Sequence, residues 1–329
     1  MSIIKKIKGL PFQWLVQRPV DQVQVLEKKL FESDKSVKST DVSPVMFDIP
    51  GEMPKLESTK AELAGFPRTV PLVISSFQDI KKSLKIVVKG PATPKKELLP
   101  EELKQLEEFC RSLGVGAIGY VKVPRKYIFK NKAIHYENAV VLAMEMDKGL
   151  LERAPSNVTG VMVHKVYNKL GKVSLKVGEF LKNMGVGVHS GHPLLGQVLY
   201  PALAVKAGMG WYGKHGLLIT PEFGPRVRLT AVYTSVTNLP FAIENPHNWI
   251  ENFCRSCKLC VKKCPAKAIY EESKKGENGL IKAINTHKCF PFFAENDGCG
   301  VCLKVCPFNQ IGYQKLHKLY INRSINAKN

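Results

Sequence analysis

Between Val163 and Met184, apolar residues recur at alternating steps of three and four: Val163, Val166, Leu170, Val173, Val177, Phe180 and Met184. That spacing keeps returning to one face of a 3.6-residue helix, so it predicts a long helix over about 159–184 with Gly185 as its stop. A second helix is predicted from Pro100. Proline suits a first turn, Glu101 and Glu102 suit the positive end of the dipole, and Gly114 closes the segment. Its apolar face is Leu103, Leu106, Phe109, Cys110 and Leu113. Apolar runs at 115–123, 139–146, 217–220 and 227–236 read as strands, and 201–207, ahead of Gly208, reads as a short helix. Before residue 95 the pattern weakens. Short apolar pieces at 70–74 and 86–88 are interrupted by polar and proline-containing stretches, 33–60 reads as surface loop, and 90–96 as a turn or linker.

Strands and helices mixed through residue 240 imply an α/β (α+β) domain. With 329 residues and 44% hydrophobic content, the chain can bury a core and has room for about two domains. Cysteine density rises at residue 254 and falls after 306, which marks a second, smaller domain. The expected division is an N-terminal extension over 1–95, an α/β catalytic domain over 96–245, a cysteine-rich domain over 246–313, and a basic, fraying tail over 314–329.

Charge narrows the partners. Lysine and arginine number 49 against 28 acids, a formal net charge of +21. This suits a solvated basic surface, the docking of an acidic electron donor such as a ferredoxin or flavodoxin, or an anionic ligand. RNA is a less favoured partner, because no recognition motif accompanies the charge. No run approaches the ~18 apolar residues of a transmembrane segment. The first twenty residues carry neither a secretory core nor a twin arginine, so the expected address is the cytoplasm.

The cysteines carry the sharpest chemistry. Cys254-x2-Cys257-x2-Cys260-x3-Cys264-Pro265 is followed by Cys289-x9-Cys299-x2-Cys302-x3-Cys306-Pro307. Three closely spaced thiolates wrap one corner of an iron–sulfur cube, and the fourth of each run reaches the other cube. The spacing therefore predicts two [4Fe–4S] clusters, one on Cys254, Cys257, Cys260 and Cys306, the other on Cys264, Cys289, Cys299 and Cys302. Zinc sites favour paired C-x2-C motifs, and disulfides are disfavoured in a reducing compartment. Cys110, on the apolar face of a predicted helix, reads as a buried, inert thiol. A bare electron carrier needs only some 60 residues. The 240 or so that precede these cysteines imply an electron acceptor in the same chain.

Gly208-Met-Gly210-Trp-Tyr-Gly213 matches a dinucleotide fingerprint literally, but it follows a helix and precedes a strand, the reverse of the required order. Its glycines let a backbone approach closely, against either another segment of chain or a flat cofactor.

The stretch Ser190-Gly-His-Pro, the run from Pro201 through Thr220-Pro-Glu-Phe-Gly-Pro-Arg226-Val-Arg228, and the doubled cysteine motif together resemble the reductive dehalogenases and the related epoxyqueuosine reductases. The resemblance covers about 159–310 and is poor before residue 100. It implies a nitroreductase-like α/β domain holding a base-off cobalamin, beside a ferredoxin-like double-cluster domain, and a small-molecule substrate. It places Tyr167 where dehalogenases carry a proton-donating tyrosine and Arg228, ahead of Arg226, near the cation beside it. His189, His192, Gly208, Gly210 and Lys214 become cofactor-binding candidates. Epoxyqueuosine reductases carry an acidic residue where this chain has Ser190, and no Asp or Glu lies between Ser190 and Gly213. The expected function is therefore an iron–sulfur, cobalamin-dependent reductase. The rivals are an epoxyqueuosine reductase-like tRNA-modifying enzyme and a non-catalytic redox partner of a corrinoid protein.

Overall fold

A computed structural model describes residues 12–44, 60–88, 91–276 and 279–326. Two helices, α1 (Phe12–Glu32) and α2 (Lys60–Val88), precede α3 (Pro100–Ser112). The strand pair β1 (Val37–Lys38) and β3 (Ala133–Ile134) joins the N-terminal part to the body. The body is a four-stranded sheet of β2 (Ala117–Lys122), β4 (Asn138–Glu145), β8 (Val227–Thr234) and β5 (Val188–Ser190), in the order β2-β4-β8-β5 with every pairing antiparallel. Between β4 and β5 runs α5 (Asn157–Asn183), after the short α4 (Lys148–Leu151). α6 (Tyr200–Lys206) and the hairpin β6 (Trp211–Tyr212) with β7 (Leu218–Ile219) lie between β5 and β8. Beyond residue 248 come α7 (Trp249–Cys257), α8 (Leu259–Lys263), the hairpin β9 (Ile269–Lys275) with β10 (Ile281–Ile284), α9 (Thr286–Glu295), α10 (Val301–Lys304), α11 (Pro307–Gln310) and α12 (Tyr313–Asn326).

Alternation along the strands builds two cores. Val140, Leu142 and Met144 of β4 join Val232 of β8 in a cluster with Leu170, Val173, Val177 and Leu181 of α5 and Leu106 of α3. The intervening Ala139, Val141 and Ala143, with Ala231 and Tyr233, pack on the opposite face against Leu203 and Ala204 of α6. Both faces of the central strands are therefore covered, and β4 is buried over seven of its eight residues. α5 is started by the Ser156 side chain, which accepts from the Thr159 amide at 3.4 Å. It ends where Gly185 takes φ +82°, a conformation glycine adopts without strain.

The helices and strands expected beyond residue 96 appear, with ends within a few residues of those predicted. Two expectations need correction. The apolar pieces at 70–74 and 86–88 are not separate; they belong to the continuous helix α2, whose inward residues Val70, Val73, Phe77, Ile80, Leu84 and Val87 step by three and four. α2 lies against α5, where the Asn168 amide donates to the Leu72 carbonyl at 3.2 Å, and Ser83 donates to the Ser190 carbonyl. The second concerns the tail after Tyr313, which was expected to fray. As far as Asn326 it is helical and docked: Tyr313 and Leu316 are buried, the Trp249 indole donates to the Tyr313 hydroxyl at 2.9 Å, and His317 stacks on Trp249 at 4.7 Å. Of the expected 33–60 loop, 33–44 is turns around β1, while 45–59 lies outside the described residues, as do the N-terminal residues 1–11, 89–90 of the linker region and 327–329 of the tail. Among the described residues no helix is long and apolar enough to cross a membrane.

The cysteine-rich segment is tied to the sheet by a polar knot. Asn309, 2% exposed, donates to Glu152 at 2.9 Å and to the Lys304 carbonyl at 3.0 Å, and accepts from Arg226 at 3.0 Å. Arg226 also pairs with Glu145 at 2.7 Å.

Candidate functional site

The chain turns tightly around its cysteines. Lys258 sits at φ +49° between α7 and α8, which lets Cys257 and Cys260 face the same side. Cys254, Cys257, Cys260 and Cys306 line one small pocket with Lys214, His215, Phe253 and Phe308. The Lys214 amide donates to Cys254, whose thiol is otherwise pushed up to about 12 by burial. Cys264, Cys289, Cys299 and Cys302 form the other group, within electrostatic reach of one another. Cys260 neighbours Cys302, so the two groups are adjacent. Burial raises Cys260 to about 11 and Cys302 to about 12, so thiolates there need a cationic partner. Among the described residues no three His, Cys, Asp or Glu converge on a single ion position. The cysteines instead ring a space, as a four-iron cube requires. Cys110 is fully buried and its thiol is pushed up to about 12 by burial, which suits an inert packing role.

The second group leads to α5. Cys302 packs on the small core that Met162 of that helix shares with Leu303, and Gly160 sits so close to the Asp297 backbone that a Cβ there would come within 2.8 Å of its carbonyl oxygen. One residue beyond Val166 is Tyr167, half-buried, with the Arg228 guanidinium over its ring at 4.8 Å. The pairing follows from strand parity: Arg228 shares its side of β8 with Val232, which faces α5. His164, one turn before Tyr167, meets the tyrosine ring edge-on at 6.3 Å. Burial, and then the Arg228 charge, hold its imidazole below the ordinary range. Sequence reading missed His164, although its i−3 spacing from Tyr167 was a usable signal.

His192 joins this face. Its ring fills the notch left by Gly171, one turn after Tyr167, where a Cβ would lie 2.1 Å from Nε2. Nδ1 accepts from the Leu194 amide at 3.1 Å, Nε2 has no partner, and burial pushes the imidazole down to about 3. Gly178, two turns further on, makes the matching notch for the Ser190 hydroxyl, which donates to the Ser174 carbonyl at 3.0 Å.

The remaining cofactor candidates lie elsewhere. His189 is registered opposite Tyr233, on the face of the sheet away from Tyr167 and Arg228. It is fully buried, tilted against Tyr233 at 5.2 Å, and pushed down to about 3 by burial. The cause is the two-residue period, which sends His189 and Ser190 to opposite faces. Gly208 and Gly210 are approached by the chain itself. A Cβ on Gly208 would meet Ala242 at 3.1 Å, and one on Gly210 would meet the Ile219 carbonyl oxygen at 2.1 Å, so the close approach these glycines permit is to protein rather than to a flat cofactor. Lys214 stands at the wall of the first cysteine group. His215, on the same wall, carried no sequence signal; burial holds it down at about 4.

Residues 253–315 match the 4Fe-4S dicluster domain family. A tetrachloroethene reductive dehalogenase of Sulfurospirillum multivorans is 33% identical over 184 aligned residues, 53% of this chain and 36% of that protein. An epoxyqueuosine reductase of Listeria monocytogenes is 34% identical over 122 residues, 35% of this chain and 31% of that protein. Among solved structures, a reductive dehalogenase described with a mechanism for B12-dependent dehalogenation superposes with a TM-score of 0.61 at 19% identity, over 79% of this chain and 40% of that one. At that identity the likeness is one of fold. The chain spans under two fifths of the length of the curated dehalogenases it matches. The resemblance to reductive dehalogenases read from the sequence, and the mixed α and β architecture expected with it, both hold.

Proposed function

We propose that the chain is an iron–sulfur, cobalamin-dependent oxidoreductase. In this reading, electrons from a low-potential donor such as a ferredoxin or flavodoxin pass through two [4Fe–4S] clusters, held by the two cysteine groups, toward a base-off corrinoid. A small organic substrate, with halogenated aromatics the first class to test, is reduced beside Tyr167. The observation that carries the reading is the Arg228 guanidinium over Tyr167 at 4.8 Å, on a helix that also contributes to the small core beneath Cys302. An acid, its cation and an electron source thus share one helix.

Fit to a corrinoid is supported by polar atoms buried without partners on this side of β8 and α5: Nε of Arg228 and Nε2 of His192. They suit the amide-bearing rim of such a ring. When bound, a corrinoid supplies a strongly reducing, nucleophilic metal centre. The chain's own groups do the rest. Tyr167 donates its hydroxyl proton to the substrate carbon, and Arg228 stabilises the phenolate that remains. His192, kept neutral by burial, adds no second positive charge to the face. Ser190 supports a small substrate over modified tRNA, because its hydroxyl is engaged by Ser174 and cannot replace a carboxylic acid.

The test is cofactor content. Protein produced anaerobically with cobalamin supplied should carry about eight irons and eight sulfides per chain, together with one cobalt. The Co(II) EPR signal should show no nitrogen splitting from an axial ligand. Full iron without any corrinoid would overturn the reductase reading in favour of a redox partner.

A further inference from the structure

The cysteine-rich segment carries an excess of positive charge: residues 253–306, which hold both cysteine groups, contain ten lysines and arginines against five acids. Beside the first group the charges are neutralised: Arg255 pairs with Glu251 at 3.3 Å and Lys258 with Glu271 at 3.2 Å. Beside the second group they are not. Lys262 and Lys263 immediately precede Cys264, Lys267 follows it by three, and Lys288 immediately precedes Cys289; all four are exposed, and Cys264 and Cys289 are themselves only half-buried. The hairpin β9–β10 extends this surface as an arm. The last five residues of β9 are exposed, so neither face of its outer half packs on the body. Lys274 is registered directly opposite Lys282, and Lys275 opposite the exposed Ile281.

We propose that this arm, with Lys262, Lys263, Lys267 and Lys288, is the docking surface for a small acidic one-electron carrier protein that reduces the cluster pair. The proposal rests on the reductase reading for its purpose and on the charge distribution for its location. In each encounter one electron leaves the reduced carrier and enters an oxidised cluster; the carrier is oxidised by one, the cluster reduced by one, and no bond forms or breaks. Charge complementarity of this kind raises encounter rates by 10–10³-fold and falls steeply with salt. RNA is the competing occupant that the experiment separates: Tyr270 of the hairpin is covered by the Lys274 ammonium at 4.8 Å, while Phe293, stacked on Phe290 beside Lys288, is exposed.

The experiment uses the full cluster-loaded chain and an oxidised acidic flavodoxin as probe, with the dissociation constant measured against ionic strength. Affinity should fall steeply with salt. Lys274→Glu/Lys275→Glu should weaken binding at low salt by about tenfold or more, and so, independently, should Lys262→Gln/Lys267→Gln, with iron content unchanged. Cluster reduction by the reduced flavodoxin should slow in step, while photoreduction by a small neutral deazaflavin keeps its rate. The surface is misassigned if both variants bind flavodoxin as the parent does, or if they lose affinity only for an RNA stem-loop. Chain that binds flavodoxin with the expected salt dependence but turns over no substrate would retain the docking surface and remove the reductase reading.

Discussion

The sheet and the cysteine-rich segment are built on different principles. Around β4 and β8 the chain buries two continuous apolar layers, and the side chains that fill them come from the sheet's own helices. Beyond residue 248 there are only satellite clusters: one around Trp249, Phe308 and Tyr313, the other borrowed from Met146, Leu151 and Met162 of the body. α9 buries none of its residues. The first region can hold its shape by hydrophobic burial; the second has too little of it and needs its clusters as a structural centre. On the proposed cluster assignment the same cysteines serve redox chemistry and folding, so loss of iron is expected to be a folding event in the cysteine-rich segment only.

Chelation would test that contrast most severely. Removing iron should abolish amide-exchange protection through 249–312 and leave β4 and β8 protected; equal loss in both would end the comparison. Next in size is Tyr167→Phe. It removes a positioned proton but keeps the ring, so turnover should fall about 10²–10⁴-fold with iron and corrinoid content intact. An unchanged rate on any accepted substrate would remove the proton-donor role. Gly171→Ala probes the sheet side. Its Cβ would fall 2.1 Å from His192 Nε2, and overpacking should cost about 1–3 kcal/mol in denaturant melts without lowering the iron count.

The smallest effect per residue is in pH. His189 and His192, held at about 3, and His215, at about 4, stay neutral in the fold while their unfolded counterparts protonate near 6.5. The unfolded state then binds more protons, so stability should decline as pH falls from about 6.5 toward 4, by roughly 1 kcal/mol per pH unit for each histidine. Melting curves that are flat between pH 7 and 5 would show these imidazoles to be accessible.

How much was legible in the sequence differs between the two regions for the same reason. The cysteine spacing encodes its chemistry locally, and α5 was readable because its stripe repeats over six turns. Arg228 was placed by resemblance, but what sets it over Tyr167 is strand parity, and parity also excludes His189. Applying it requires knowing that β5 pairs with β8, a contact between residues 188 and 234 that no local pattern reveals. α2 was missed although Val70, Val73, Phe77, Ile80, Leu84 and Val87 repeat regularly, because its two short apolar pieces were read apart, across the polar residues between them. The docked Tyr313 was hidden because its partner Trp249 is 64 residues away.

The knot at Asn309 has a mechanical consequence. Three hydrogen bonds hold that one buried side chain to Glu152, Lys304 and Arg226, just beyond Cys306. A knot of hydrogen bonds around one buried amide resists shear and rotation alike. The cysteine segment therefore cannot swing on the sheet as a hinged module would. On the proposed electron path, the spacing between that segment and the sheet is set once, at folding, and the pace of electron delivery is left to the arrival of the carrier.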